Sequence, residues 1–198
     1  MQKISFVLVT GAVALTAAMT AAACSQPTAH STSASSDPAK IARGQYLVTI
    51  GGCNDCHTPL KMGPKGPEPD MSRMLSGHPE QFVIAEPAKL TSAEWMVASA
   101  PTNTAHSGPW GVSFTANLTP DENTGLGIWT EEMFMKALRT GRHMGASREI
   151  LPPMPWFNYG KMTDEDLKAV YAYLRSIPAI HNRVPDPLPP ANAPNSTN

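Results

Sequence analysis

Three stretches of the chain place apolar residues at helical spacing among polar ones, and each carries start and stop signals. In "DPAKIARGQYLVTIGG" (37–52), Ile41, Gly44, Leu47 and Val48 fall near one face. Asp37 is the expected N-cap, Pro38 the first helical residue and Gly51–Gly52 the end. In "WTEEMFMKALRTG" (129–141), Thr130 is the N-cap, Gly141 the stop, and Trp129, Met133, Ala137 and Leu138 the apolar stripe. In "TDEDLKAVYAYLRSIP" (163–178), Thr163 is the cap, three acids fill the first turn, and Leu167, Val170, Tyr171 and Leu174 recur at the period of a helix.

Between the first and second helices the pattern dissolves. Residues 58–127 are rich in proline and glycine and keep no period of 3.6 or 2. Short helical turns or a small hairpin, near "QFVIA" (81–85) for example, are all this segment predicts, and nothing resembles a parallel sheet. Trp95 and Trp110 within it are expected to pack in the core.

The ends of the chain change the picture further. Residues 1–23 begin with "MQK" and continue as an apolar, small-residue run, which predicts an export signal. The run closes on "AAAC" (21–24), similar to a bacterial lipoprotein signal with Cys24 as the acylated first mature residue; Ala21 stands where leucine is usual. An ordinary cleaved signal is the alternative. Residues 24–36 are a Ser/Thr/Ala-rich tether, 37–182 the folded domain, and 183–198 an extended proline-rich tail. Fifteen basic and sixteen acidic residues leave a net charge of −1, so no basic field is present to hold nucleic acid.

The chain has three cysteines. With Cys24 assigned to lipid, only Cys53 and Cys56 remain, and no disulfide framework is possible. They stand in "GGCNDCHTP" (51–59) as C-x-x-C-H. This spacing lets two thiols add across the two vinyl groups of a haem, while the next residue, His57, reaches the iron. A zinc site would need two further ligands, and His78, His106 and His143 supply no second paired spacing. A thioredoxin-like redox pair would need a βαβ setting that the pattern does not provide. Haem is attached on the far side of the membrane to which the leader points.

The second axial ligand is expected in "LPPMPWFNYGKM" (151–162). Met154 lies between Pro153 and Pro155, where the backbone is stiff, and a thioether is a soft neutral ligand that favours the ferrous state. Met144, Met162 and His143 are the alternatives.

The order helix, C-x-x-C-H, loop, helix, proline-framed methionine and terminal helix resembles a class I c-type cytochrome domain. The blocks "RGQYLVTIGGCNDCHTP", "FTANLTPDENTGLGIWTEEMFMKALRTG" and "LPPMPWFNYGKMTDEDLKAVYAYLRSIP" are similar to the cytochrome c domains of subunits serving bacterial periplasmic dehydrogenases. The resemblance implies an all-α, cytochrome c-like fold with long irregular loops around one covalent haem c. It implies thioether links at Cys53 and Cys56, His57 as proximal and Met154 as distal ligand. It further implies a crossing of the first and last helices near Gly44 and Tyr171 or Tyr173, and a proline carbonyl (59, 64 or 67) bonded to the proximal imidazole. Asn117, Thr119, Trp156 and Tyr159 are candidate haem contacts.

The function expected is one-electron transfer, not catalysis, on the periplasmic side of a bacterial membrane, with lipid at Cys24 as anchor or, alternatively, in soluble form. A dehydrogenase or quinol-oxidising complex would be the donor and another cytochrome or an oxidase the acceptor. A peroxidase- or reductase-like enzyme and a gas sensor, each with an open sixth iron position, are the alternatives.

Overall fold

The structure is a computed structural model, and it describes residues 37–190 apart from 91 and 93. The leader, Cys24, the tether and the end of the tail lie outside the described residues.

All three expected helices form, with the expected caps. α1 (Pro38–Ile50) starts where Asp37 Oδ1 accepts from the Ala39 amide at 2.9 Å. α3 (Glu131–Thr140) starts on Thr130, whose Oγ1 accepts from Met133 N at 3.1 Å, and stops at Gly141 in the left-handed region. α5 (Asp164–Ser176) is capped by Thr163, and Arg175 in its last turn donates to the carbonyls of Leu126 and Gly127 at 2.8 and 2.7 Å. Two short helices complete the set: α2 (Cys53–His57) and α4 (Trp156–Tyr159). The second helix turns differently from its expected stripe. Phe134 and Ala137 are buried, while Met133 lies at the surface, because α3 meets the core through Phe134 against Tyr171.

An all-α description needs correction. The segment 58–127 folds into a hairpin, β1 (Leu60–Gly63) with β2 (Gly66–Pro69), and a three-stranded antiparallel sheet, β3 (Ala98–Ser99), β4 (Ala105–Gly108) and β5 (Gly111–Phe114), in the order β3-β4-β5. Residues 81–85, where a hairpin was a candidate, form no strand. Trp95 is 70% exposed and so is not a core residue, whereas Trp110 is half-buried and donates from Nε1 to the His106 carbonyl at 3.3 Å. Residues 183–190 run extended, and Leu188 pairs with Val112 on the edge of β5 (2.9 and 3.0 Å).

The core is Leu47, Val48, Leu75, Leu126, Phe134, Ala169, Val170, Leu174 and Ile177. It forms where α1 crosses α5. Gly44 faces Ala169 and Tyr173 so closely that a β-carbon there would overlap the Ala169 carbonyl; of the two expected aromatics, Tyr173 is the one at the crossing. Arg43 secures the same crossing with a two-point pair to Asp166 (2.9 and 3.2 Å).

Polar pegs hold the irregular connections. Asn182 is fully buried; its Nδ2 donates to the carbonyls of Ser76 and His78 (2.7 and 2.8 Å), and its Oδ1 accepts from Arg73 and the Glu80 amide (2.8 and 3.0 Å). Buried His78 lies between Phe82 and Phe114 and donates from Nε2 to the Phe82 carbonyl at 2.8 Å. That leaves Nδ1 to accept from Thr104 Oγ1 at 2.9 Å.

Two consequences are measurable. Gly44→Ala should destabilise the protein by about 1–3 kcal/mol through overpacking at the helix crossing, seen as an earlier denaturation midpoint. Burial holds the His78 imidazole below its ordinary range. Between that folded value and the ordinary histidine value of ~6.5, the unfolded chain binds more protons, so stability is present above this window and falls as pH falls through it. The urea midpoint should drop with acidification across the window, and His78→Gln should flatten that slope; an unchanged slope would show that His78 does not titrate on unfolding.

Candidate functional site

The C-x-x-C-H turn is built on the end of α1. Gly52 takes φ 66°, a left-handed conformation open to glycine, and this reverses the chain so that α2 starts at once with Cys53. Downstream, buried Thr58 ties the turn in place. Its Oγ1 donates to Asn54 Oδ1 (2.8 Å) and accepts from the Leu75 amide (2.9 Å), and the Gly77 amide donates to the His57 carbonyl (2.8 Å). Asn103 Nδ2 donates to the Asp55 carbonyl at 2.8 Å from the other side.

Cys53 and Cys56 are half-buried free thiols, and Cys53 packs against the core. Burial pushes the Cys53 thiol up to about 11, with Asp55 and Cys56 adding to the rise, and burial and Asp55 raise Cys56 also. A redox-active pair needs a thiol whose pKa is lowered, and here both move the other way. Among the described residues no three His, Cys, Asp or Glu side chains gather within ligating reach of one point, so the two thiols have no company for a zinc site.

His57 is buried, and its Nδ1 lies 2.8 Å from the Ala116 carbonyl. That bond requires a proton on Nδ1, which leaves the Nε2 lone pair free as a ligand. Burial holds the imidazole neutral, with its pKa lowered against the raising effect of Ala116. The expectation of a proline acceptor is corrected here. The Pro59 carbonyl accepts from the Asp70 amide, and Pro64 and Pro67 belong to the β1–β2 hairpin. Any residue type has a carbonyl, so no side-chain signal in the sequence could mark Ala116.

Met154 is half-buried. The segment carrying it is pinned on both sides. Ser113 Oγ in β5 donates to the Pro152 carbonyl at 2.6 Å, and α4 follows immediately. From α4, Tyr159 donates its hydroxyl to the Gly51 carbonyl at 2.6 Å, joining residues 108 positions apart beside the C-x-x-C-H turn. Trp156 packs where any side chain on Gly141 would overlap its indole, and Phe157 meets it edge-on. One strand exit thus holds two segments, Ser113 the one that carries Met154 and Ala116 the one that carries His57.

His143 is T-shaped against Trp129 with centroids 5.0 Å apart, Met144 occupies a left-handed turn, and the Met162 amide donates to the Tyr159 carbonyl.

Asn117, one of the candidate haem contacts, is engaged with the protein's own groups. It is buried, its Oδ1 accepts from the Thr119 amide and hydroxyl (3.0 and 2.7 Å), and its Nδ2 donates to the Ile180 and Asn182 carbonyls (2.8 and 3.4 Å) and to Thr124 (3.2 Å). No donor is left over for a propionate. Thr119 is fully buried and engaged with Asn117 and Ile180 in the same cluster. Among the expected contacts, Tyr159 is the one whose position beside the turn a hydrogen bond fixes.

The C-x-x-C-H turn thus presents two half-buried thiols one helical turn apart and a buried imidazole whose Nδ1 is engaged. The chain is 33% identical over 150 residues to the fructose dehydrogenase cytochrome subunit of Gluconobacter japonicus, which covers 75% of this chain and 23% of that protein. It is 31% identical over 176 residues to the cytochrome c subunit of the alcohol dehydrogenase (quinone) of Gluconobacter oxydans (strain 621H), covering 87% of this chain and 29% of the relative. The gluconate 2-dehydrogenase cytochrome c subunit of Pantoea cypripedii is 30% identical over 135 residues, 68% of this chain and 22% of its own length. This chain therefore carries a cytochrome c domain resembling those of dehydrogenase subunits, and its matches span about a quarter of each curated relative's length. No family model matches it.

The roles separated above can be told apart by substitution. Asn117→Ala leaves several buried backbone partners unsatisfied, at about 1–3 kcal/mol for each group orphaned, so it should markedly lower the unfolding midpoint. Tyr159→Phe loses a single bond and should cost about 0.5–1.5 kcal/mol. A Tyr159→Phe variant as unstable as Asn117→Ala would show that the Gly51 contact does more than tether α4.

Proposed function

We propose that this chain is an exported monohaem c-type cytochrome that moves single electrons between redox partners and is not itself a catalyst. The observation that carries the reading is the shared strand exit, where Ala116 fixes His57 and Ser113 fixes the segment presenting Met154. In this reading Cys53 and Cys56 would hold the haem covalently as thioethers, and His57 Nε2 and Met154 Sδ would ligate its iron. Haem c, when bound, supplies a one-electron couple. The protein's share is to keep both ligands in place in either oxidation state: the Ala116 bond limits rotation of the imidazole, and Pro153 and Pro155 stiffen the backbone on either side of the thioether.

The donor in this reading is a dehydrogenase or quinol-oxidising complex and the acceptor a second cytochrome or an oxidase. The relatives named above are dehydrogenase cytochrome subunits, which favours the dehydrogenase. With a net charge of −1, long-range steering is weak and docking is transient and partly apolar. The leader directs the protein to the periplasmic side, where lipid on Cys24 and the tether of 24–36 hold it at the membrane. No described helix is long and apolar enough to cross a membrane.

The oxidised protein should show the weak far-red absorption of methionine–iron(III) ligation. Met154→Ala should abolish it, and Cys53→Ala with Cys56→Ala should leave no haem attached after denaturation. Survival of the band in Met154→Ala, or rapid carbon monoxide binding by the reduced wild type, would sink the six-coordinate carrier. Cys24→Ser should move the protein from the membrane fraction to the soluble fraction; unchanged retention would remove the lipid anchor.

A further inference from the structure

His106 is a buried titratable side chain that the reading above leaves without a task. It occupies the central strand of the three-stranded sheet, directly across from Ser99 on β3 and Ser113 on β5, so the three form one row on one face. Its backbone carbonyl accepts from Trp110 Nε1 (3.3 Å), which fixes the residue in the row. Ser113 continues the row to the Pro152 carbonyl, two residues before Met154. The row therefore runs from His106 to the segment that carries Met154, and β5 leads on to Ala116, whose carbonyl holds His57.

One ring nitrogen has a partner, and the other does not. Nδ1 is 2.9 Å from Ser99 Oγ, while Nε2 is buried with no partner, in a residue only 4% exposed. Thr115 Oγ1, two residues on from Ser113 along the same chain direction, is also buried and unpartnered. A buried polar group left unmade costs about 1–3 kcal/mol, so two of them close to one site point to an absent polar ligand. With Ser99 donating to Nδ1, the ring presents an N–H at Nε2, and what complements it is an acceptor. The iron positions are assigned to His57 and Met154, and the remaining polar atoms of a haem are its two carboxylates.

We propose that His106 donates a hydrogen bond from Nε2 to a propionate of the haem, with Ser99 and the sheet row holding its tautomer and orientation. This rests on the functional reading above. A donor on the propionate draws negative charge away from the iron and so favours the reduced state, and an ionised acceptor makes the bond charge-assisted. His106 is thus a positioning residue that tunes the couple without ligating the metal.

The test uses the whole haem-loaded protein. In His106→Phe the resonance Raman propionate bending mode should shift to the value of an unbonded carboxylate and the reduction potential should fall, while the far-red methionine band stays. His106→Gln, which keeps a donor, should restore both, and because an amide is polar it also guards against a Phe variant that fails to fold. Wild-type Raman frequency and potential in both variants would overturn the inference alone, since Nε2 would then face water. Loss of the low-spin spectrum in His106→Phe would overturn it as well, by making His106 an iron ligand. Absence of covalent haem in the wild type would remove the functional reading and this inference together.

Discussion

The crossing of α1 over α5 is the contact on which the rest of the molecule is registered. At Gly44 the two backbones approach until a single methyl would collide with the Ala169 carbonyl. This proximity sets the height and rotation at which α1 ends, and α2 follows that end after a single left-handed glycine. The positions of Cys53, Cys56 and His57 are therefore inherited from a helix–helix contact that involves none of them. The core along the same seam, Leu47 and Val48 against Ala169, Val170 and Leu174, supplies the burial that keeps the crossing closed.

Away from that seam, much of the fold is irregular chain, and side-chain amides take the place of secondary structure. Asn117 and Asn182 each satisfy several backbone groups from distant segments, joining 73–80, 117–124 and 180–182 into one polar knot. Such buried groups are costly when incomplete and rigid when complete. The knot allows a proline- and glycine-rich loop to act as scaffold. The strand exit that holds both His57 and Pro152 ends where this knot begins, at Asn117.

What could be read from the sequence follows from the range of the forces involved. Helices α1, α3 and α5 were legible because caps and periodicity are local: Asp37, Thr130 and Thr163 each bond an amide within three residues. The C-x-x-C-H turn was legible because its chemistry needs fixed residue types at fixed spacing. The sheet was not, since strands of two to four residues hold no period, and the carbonyl partners of Asn117 were not, because an amide reads the same whether it meets a ligand or a carbonyl. Ala116 was invisible, as its contribution is a backbone oxygen. Met133 and Phe134 both lie in an apolar stretch, and only the partner Tyr171 decides which is turned inward.

The last described residues give the sheet an unusual finish. β5 is one of the two outer strands, and an unpaired edge is an open template for another chain. Leu188 occupies it with one reciprocal pair of bonds to Val112, and around it stand Pro187, Pro189 and Pro190, none of which has an N–H to offer outward. The segment therefore terminates the ladder instead of extending it. A small domain with exposed tryptophan and methionine elsewhere gains from this a seal on the β5 edge against edge-to-edge polymerisation, made of a single leucine set among prolines.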